Sequence, residues 1–195
     1  MANNTIKEYE FLRNEINQHI GLHNTLLTFA ITSTVAVLAL ALDQNRTILY
    51  LIPFCILIPM SMRIAYYRSA MVKLSAYMIV FLEIDLDGVS WETRNAALVN
   101  DLNKKKKDIN SYTVLRYFEC LILAVICYIL YVIDYIKDKE ISVVVIVNIL
   151  WPLLFVIWEI LITKRINSVD EEKQEWIKRW NKLKMKCENY SSNQE

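Results

Sequence analysis

From Leu22 to Leu42 the chain carries no side chain that is charged at neutral pH. A helix rises about 1.5 Å per residue and a bilayer core is about 30 Å thick, so roughly 20 apolar residues cross it. Three further stretches approach or meet that length. Ile141 to Thr163 has a single acid, Glu159, and Tyr117 to Ile136 has acids only near its ends, Glu119 and Asp134. Thr47 to Met62 is shorter and holds Pro53 and Pro59, but it is wholly uncharged. A soluble protein can bury one such helix. Four would need a larger shell than the rest of these 195 residues supplies. The averages, 55% hydrophobic and 22% charged with a net charge of +1, would also suit a soluble helical domain, so the distribution along the chain decides. The sequence predicts an all-α integral membrane protein with four transmembrane helices and a cytoplasmic helical layer.

Lys and Arg set the expected orientation. Nineteen of them lie before the first span, between spans two and three, or after span four, against three (Arg46, Lys137 and Lys139) in the other two loops. The positive-inside rule then places both termini and the central loop in the cytoplasm of a cell whose inner, or plasma, membrane holds the chain. A cleavable signal peptide is not expected, because some twenty mostly polar residues precede the first apolar run. Cys55, Cys120 and Cys127 fall within spans and Cys187 in the tail, which predicts free thiols.

Residues 1–21 read as a cytoplasmic amphipathic helix, with Thr5-Ile6-Lys7-Glu8 as a capping box and Ile6, Tyr9, Leu12, Ile16 and Ile20 on one stripe. Residues 22–42 form span one and 47–62 span two. Residues 63–116 form a cytoplasmic helical hairpin: the helix of span two continues to about Ile84, Asp87-Gly88 turns, and Ser90 caps a returning helix whose first turn carries Glu92. Spans three and four occupy 117–136 and 141–163. Residues 164–195 form a last cytoplasmic helix and tail, capped at Ser168. There Trp176, Trp180, Leu183, Cys187 and Tyr190 follow a heptad seam that packs on the hairpin of its own chain or on a partner.

Enzyme chemistry is not expected. Two isolated glycines, Gly21 and Gly88, make no phosphate-cradling loop, and no nucleophile elbow or paired-cysteine metal motif is present. No cofactor is expected either. Glu15, His19 and His23 stand four residues apart on one helical face, a spacing that suits a metal, but a polar stripe at the headgroup boundary, with Glu15 meeting an Arg such as Arg63 or Arg116, is preferred. Thr25, Thr28, Thr32, Ala36 and Ala39 form a stripe that either lines an aqueous path or packs closely against another helix. Asn148, Pro152, Phe155 and Glu159 share a face of span four. An intramembrane carboxylate is costly unless paired, protonated or wet, so Glu159 is a candidate functional group. The alternative is that it snorkels to pair with Lys164 or Arg165. Thr25, Thr28, Thr32, Asn148 and Glu159 are thus the pore-lining candidates. Lys104 to Lys107 encircle more than one helical turn and suit solvation or anionic headgroups. Arg63, Arg68, Lys73 and Arg94, with Trp91 as a stacking platform, are the candidates for an anionic ligand or partner. Trp176, Trp180 and Leu183 are the candidates for an oligomer or partner seam.

The order of elements is an amphipathic helix, two spans, a long helical hairpin, two more spans and a terminal helix. In this order and size the chain resembles the small four-span membrane effectors of bacterial anti-phage defence systems. Tyr9-Glu10-Phe11-Leu12-Arg13-Asn14-Glu15-Ile16 and Ser75-Ala76-Tyr77-Met78-Ile79-Val80-Phe81-Leu82-Glu83 are similar to segments of bacterial membrane proteins. The resemblance implies an effector that a cytoplasmic defence partner or a nucleotide or oligonucleotide trigger activates, and that then oligomerises and permeabilises or depolarises the membrane. It carries over no site residue. The expected function is therefore a homo-oligomeric gated pore or channel. A non-conducting sensor or scaffold that recruits a cytoplasmic partner is the alternative.

Overall fold

The computed structural model describes residues 2–44, 46–86, 88–105, 118–137 and 143–192. Asp87 of the expected turn, Lys106, Lys107, Arg116, Tyr117, Lys139 and Ile141 are not among these, so the expectations that fall on them lie outside the described residues. Every regular element among the described residues is helical. α1 runs from Ala2 to Gln44. A 3₁₀ turn, Thr47–Leu51, leads into α2, Ile52–Tyr77, which ends in a π turn, Met78–Leu82. α3 is Trp91–Lys105, α4 Glu119–Ile136, α5 Val143–Asn167 and α6 Val169–Ser192.

Among the described residues four helices, within Asn4–Gln44, Thr47–Leu82, Glu119–Ile136 and Val144–Asn167, are long and apolar enough to cross a membrane. Only 17% of the most apolar window of the first is buried, and 22% of those of the third and fourth. Large side chains such as Val35, Leu40, Ile133, Val144 and Leu154 face outward from them. In water that surface would be a large uncovered apolar patch; in lipid it is solvated. The molecule is an all-α, multi-pass membrane protein.

The chain divides into two compact units. One comprises Leu22–Tyr66 and Tyr112–Asn167 and contains the most apolar helical stretches; it is the membrane bundle. Its core combines large and very small side chains: Phe54, Leu57 and Cys127 beside Ala30, Ala41 and Ala124. Phe54 stacks on Phe155 with centroids 5.3 Å apart. The small residues let helix backbones approach, the usual source of packing where apolar burial gives no preference over lipid. Pro53 falls in the first turn of α2, where its missing N–H is unneeded. Pro59 and Pro152 lie inside α2 and α5, which continue past them.

The other unit comprises Met1–Gly21, Tyr67–Ser111 and Ser168–Glu195. Its core is Ile16, Met78 and Leu82, with Tyr9, Leu12, Met71, Leu74, Tyr77 and Phe81 packed around them. Gly88 sits at φ 81, the left-handed conformation that a side chain would resist, and reverses the chain before α3. Two capping expectations are corrected. Because α1 begins at Ala2, Thr5 lies inside the helix rather than ahead of it, and Glu8 accepts a hydrogen bond from the Tyr77 hydroxyl at 2.8 Å. Ser90 holds the N-cap position of α3, its carbonyl accepting the Arg94 N–H, but the free N–H groups of that first turn go to Glu83.

Candidate functional site

Among the described residues, two places concentrate polar chemistry, one in each unit. In the membrane bundle the polar groups are few and placed by packing. Glu159 projects inward from α5 and is fully buried. Its Oε1 accepts a hydrogen bond from the Ser61 hydroxyl of α2 at 2.9 Å, while Oε2 has no hydrogen-bond partner among the described residues. The same Ser61 hydroxyl lies 2.9 Å from the Ile58 carbonyl. The side chain turns into the bundle and meets Ser61 there. Beside Ser61 lies a cavity of about 10 Å³ walled by His23, Ser61, Glu119, Cys120 and Thr163, with apolar cover from Leu27, Ile64 and Ile166. That volume suits about one water molecule.

The other pore-lining candidates separate. Asn148 is half-buried, and its amide donates to the Tyr135 hydroxyl at 2.7 Å. Its carbonyl is the one that Pro152, lacking an N–H, leaves unsatisfied four residues on, and the Tyr131 hydroxyl donates to it at 3.0 Å. Tyr128 donates to the Ile149 carbonyl at 3.2 Å, and Thr47 to Asp134 at 2.6 Å. Thr25, Thr28 and Thr32, by contrast, are exposed. With Asn24 and Phe29 they line an open groove of about 440 Å³ on the outer face of α1. Thr32 donates to the Thr28 carbonyl at 2.9 Å. The inward face of α1 carries Ala30, Thr34 and Ala41. Thr34 is a buried hydroxyl that the stripe argument passed over, although its spacing of four from Ala30 signals that face.

The second place is built around two acids. Glu83 grips the start of α3: Oε1 accepts the Glu92 N–H at 2.8 Å, and Oε2 accepts the Thr93 N–H at 2.9 Å and its hydroxyl at 2.6 Å. A carboxylate there satisfies two free donors and meets the positive end of the helix dipole. Glu92, almost fully buried, binds Arg13 at 2.9 Å and Lys173 at 3.3 Å, and accepts the Ser75 hydroxyl. One carboxylate therefore joins α1, α2, α3 and α6. An open cleft of about 240 Å³ adjoins it, walled by Arg13, Arg68, Trp91, Glu92, Asn95 and Lys173 among others. Arg13 lies 4.6 Å from the Trp91 ring centroid.

Of the ligand candidates, Arg68 and Trp91 line this cleft. Arg63 is over the Tyr66 ring in the other unit, Lys73 is over Trp176, and Arg94 is exposed on α3 outside the cleft lining. Arg13 and Lys173 are the cations that sequence reasoning missed. The heptad seam also divides. Trp176 and Trp180 pack on α2, where Trp180 donates to the Lys73 carbonyl at 3.4 Å and meets Tyr77 edge-on at 5.5 Å. Leu183 and Cys187 are exposed. Glu15 approaches His19 of its own helix at 3.8 Å, and His19 rests against the Tyr67 ring. Among the described residues no cluster of three or more His, Cys, Asp or Glu suits a metal ion.

These features define a multi-pass helical membrane protein with a polar centre in each unit. No protein-family model, curated protein or solved structure matches the chain.

Proposed function

We propose that the chain is an oligomeric membrane effector, a gated pore of a bacterial inner membrane whose opening depolarises the cell in defence against phage. The outward hydroxyl face of α1 carries this reading. Thr25, Thr28 and Thr32 are exposed along a groove in an uncharged span. Small and hydroxyl residues are poor neighbours for lipid and good ones for another helix or for water. The interior of one bundle is already filled by Phe54, Leu57 and their neighbours, so the path lies between copies and α1 lines it. Thr32 commits its proton to its own helix, so toward the groove its oxygen can act only as an acceptor, a lining that favours cations.

The Lys and Arg asymmetry supports a cytoplasmic location for both termini and residues 63–116. There the cleft beside Glu92, with three cations against one acid and a half-exposed Trp91, suits an anionic trigger bearing an aromatic ring, a nucleotide or oligonucleotide. The defence setting comes from the resemblance in element order. Full-length protein in liposomes of anionic phospholipid, read with a potassium-sensitive dye, tests the pore. Flux is expected, and Thr28→Leu is expected to lower it severalfold at unchanged oligomer size. Absence of flux at every protein-to-lipid ratio, together with no depolarisation in phage-challenged cells, favours the non-conducting sensor or scaffold instead.

A further inference from the structure

We infer that Glu159 and Ser61 form a proton-binding site inside the membrane bundle, served from the small polar cavity that His23 and Glu119 border. The site does not depend on the pore reading. The argument begins with hydrogen-bond geometry. Ser61 has one hydroxyl proton and two acceptors at equal distance, Glu159 Oε1 and the Ile58 carbonyl, each at 2.9 Å. With Glu159 ionised, Ser61 donates to Oε1. With a proton on Oε1, Glu159 donates to Ser61 Oγ, and the Ser61 proton swings to the Ile58 carbonyl. Both protonation states are accommodated by the same heavy-atom positions, and the exchange needs only rotation about one Cβ–O bond.

The surroundings restrict what can be bound. A carboxylate fully buried in a membrane bundle, with one oxygen lacking a hydrogen-bond partner among the described residues, marks a functional group by default. The cavity that Ser61 shares with Thr163 and Cys120 has room for about one water, which is too little for a metal ion with a shell of six oxygens. A proton fits. Among the described residues, the titratable groups around the cavity are His23 from α1 and Glu119 and Cys120 from α4; α2 contributes Ser61, and α5 contributes Thr163. Ser61 lines the cavity and donates to Glu159 Oε1, which ties the cavity wall to the buried acid. The transfer balances through Ser61, which lines the cavity while Glu159 does not. An N–H of the His23 imidazolium or the O–H of the Glu119 acid breaks, a cavity water passes a proton to Ser61 Oγ, and the proton that Ser61 held toward Glu159 leaves to form the O–H bond at Oε1. The donor loses one positive charge or gains one negative charge as Glu159 becomes neutral. Relays of this kind, built from Glu and His, recur in membrane proteins that move protons.

Infrared difference spectroscopy on full-length protein in liposomes, during a pH step, tests the site without reference to ion flux. A protonated-carboxyl C=O band that titrates and shifts in heavy water is expected, lost in Glu159→Gln and shifted in frequency in Ser61→Ala. Glu119→Gln with His23→Gln is expected to slow its appearance severalfold at unchanged amplitude. The inference is overturned if no such band titrates, if it survives Glu159→Gln, or if Ser61→Ala leaves its frequency unchanged. An unchanged rate in the Glu119/His23 variant overturns the delivery route. Should Glu159→Gln not fold, the Ser61→Ala shift and ¹³C-carboxyl labelling of glutamate decide the assignment of the band.

Discussion

Glu92 ties three other helices of its unit together through one carboxylate that meets side-chain donors from α1, α2 and α6. Its side chain is 5% exposed, those of Lys173 and Arg13 are 14% and 36% exposed, and this gradient sets what its loss costs. Breaking a fully buried pair from one side costs about 3–5 kcal/mol, because the remaining charge is stranded. Arg13 can turn to water, so the cost here is smaller. Glu92→Gln is expected to destabilise the protein by about 1–3 kcal/mol, read as a lower unfolding midpoint in detergent by tryptophan fluorescence. Lys173→Met should cost less than Glu92→Gln, since Arg13 and Ser75 still reach the carboxylate. An equal or larger loss for Lys173→Met would show that the hub is elsewhere. The sequence places Glu92 in the first turn of a helix, where an acid belongs. It does not reveal Arg13 and Lys173, which lie 79 and 81 positions away. Pairing over such distances is set by how helices pack, and no local periodicity encodes it.

At the scale of the helix, the clearest device is the proline of α5 and its repair. Pro152 removes the N–H that would bond the Asn148 carbonyl, and the Tyr131 hydroxyl of α4 donates to that carbonyl instead. An orphaned carbonyl in the apolar zone has no water to turn to. Tyr131→Phe is therefore expected to cost about 1–2 kcal/mol in the native background and clearly less in Pro152→Ala, where the helix regains its own donor. A double-mutant cycle by steric trapping or denaturant titration measures the difference, and a cycle energy near zero rejects the repair. Pro152 was readable as an interruption, but not the tyrosine that answers it. The spans themselves were legible because length and absence of charge are local properties. The seam of α6 was half legible. Trp176 and Trp180 do share a face, yet that face meets Lys73, Tyr77 and Phe81 of the same chain, while Leu183 stays exposed. Helical spacing identifies residues on one side of a cylinder and cannot choose the cylinder opposite.

For the whole molecule, the question is which outward face meets another copy, because most of the bundle surface is apolar and suited to lipid. α1 departs from that pattern along Thr25, Thr28 and Thr32, and α5 keeps to it at Leu154, which is 65% exposed. Cysteine cross-linking separates the two faces directly. Cys55 and Cys187 are exposed and must first be replaced by serine, whereas Cys120 and Cys127 are buried. In that background Thr28→Cys and Thr32→Cys are expected to give disulfide-linked dimers in native membranes under mild oxidation, and Leu154→Cys to give few. A disulfide needs Cα atoms within about 7 Å, so only a face that packs closely against its own copy reacts well. If the α1 stripe also lines the path, linking Thr28→Cys should lower ion flux until reductant is added. Cross-linking as efficient at Leu154 as at Thr28 would mean random collision in the bilayer. Efficient linkage at Thr28 without any flux would keep the oligomer but make the stripe a packing surface, as close approach of small residues alone would require.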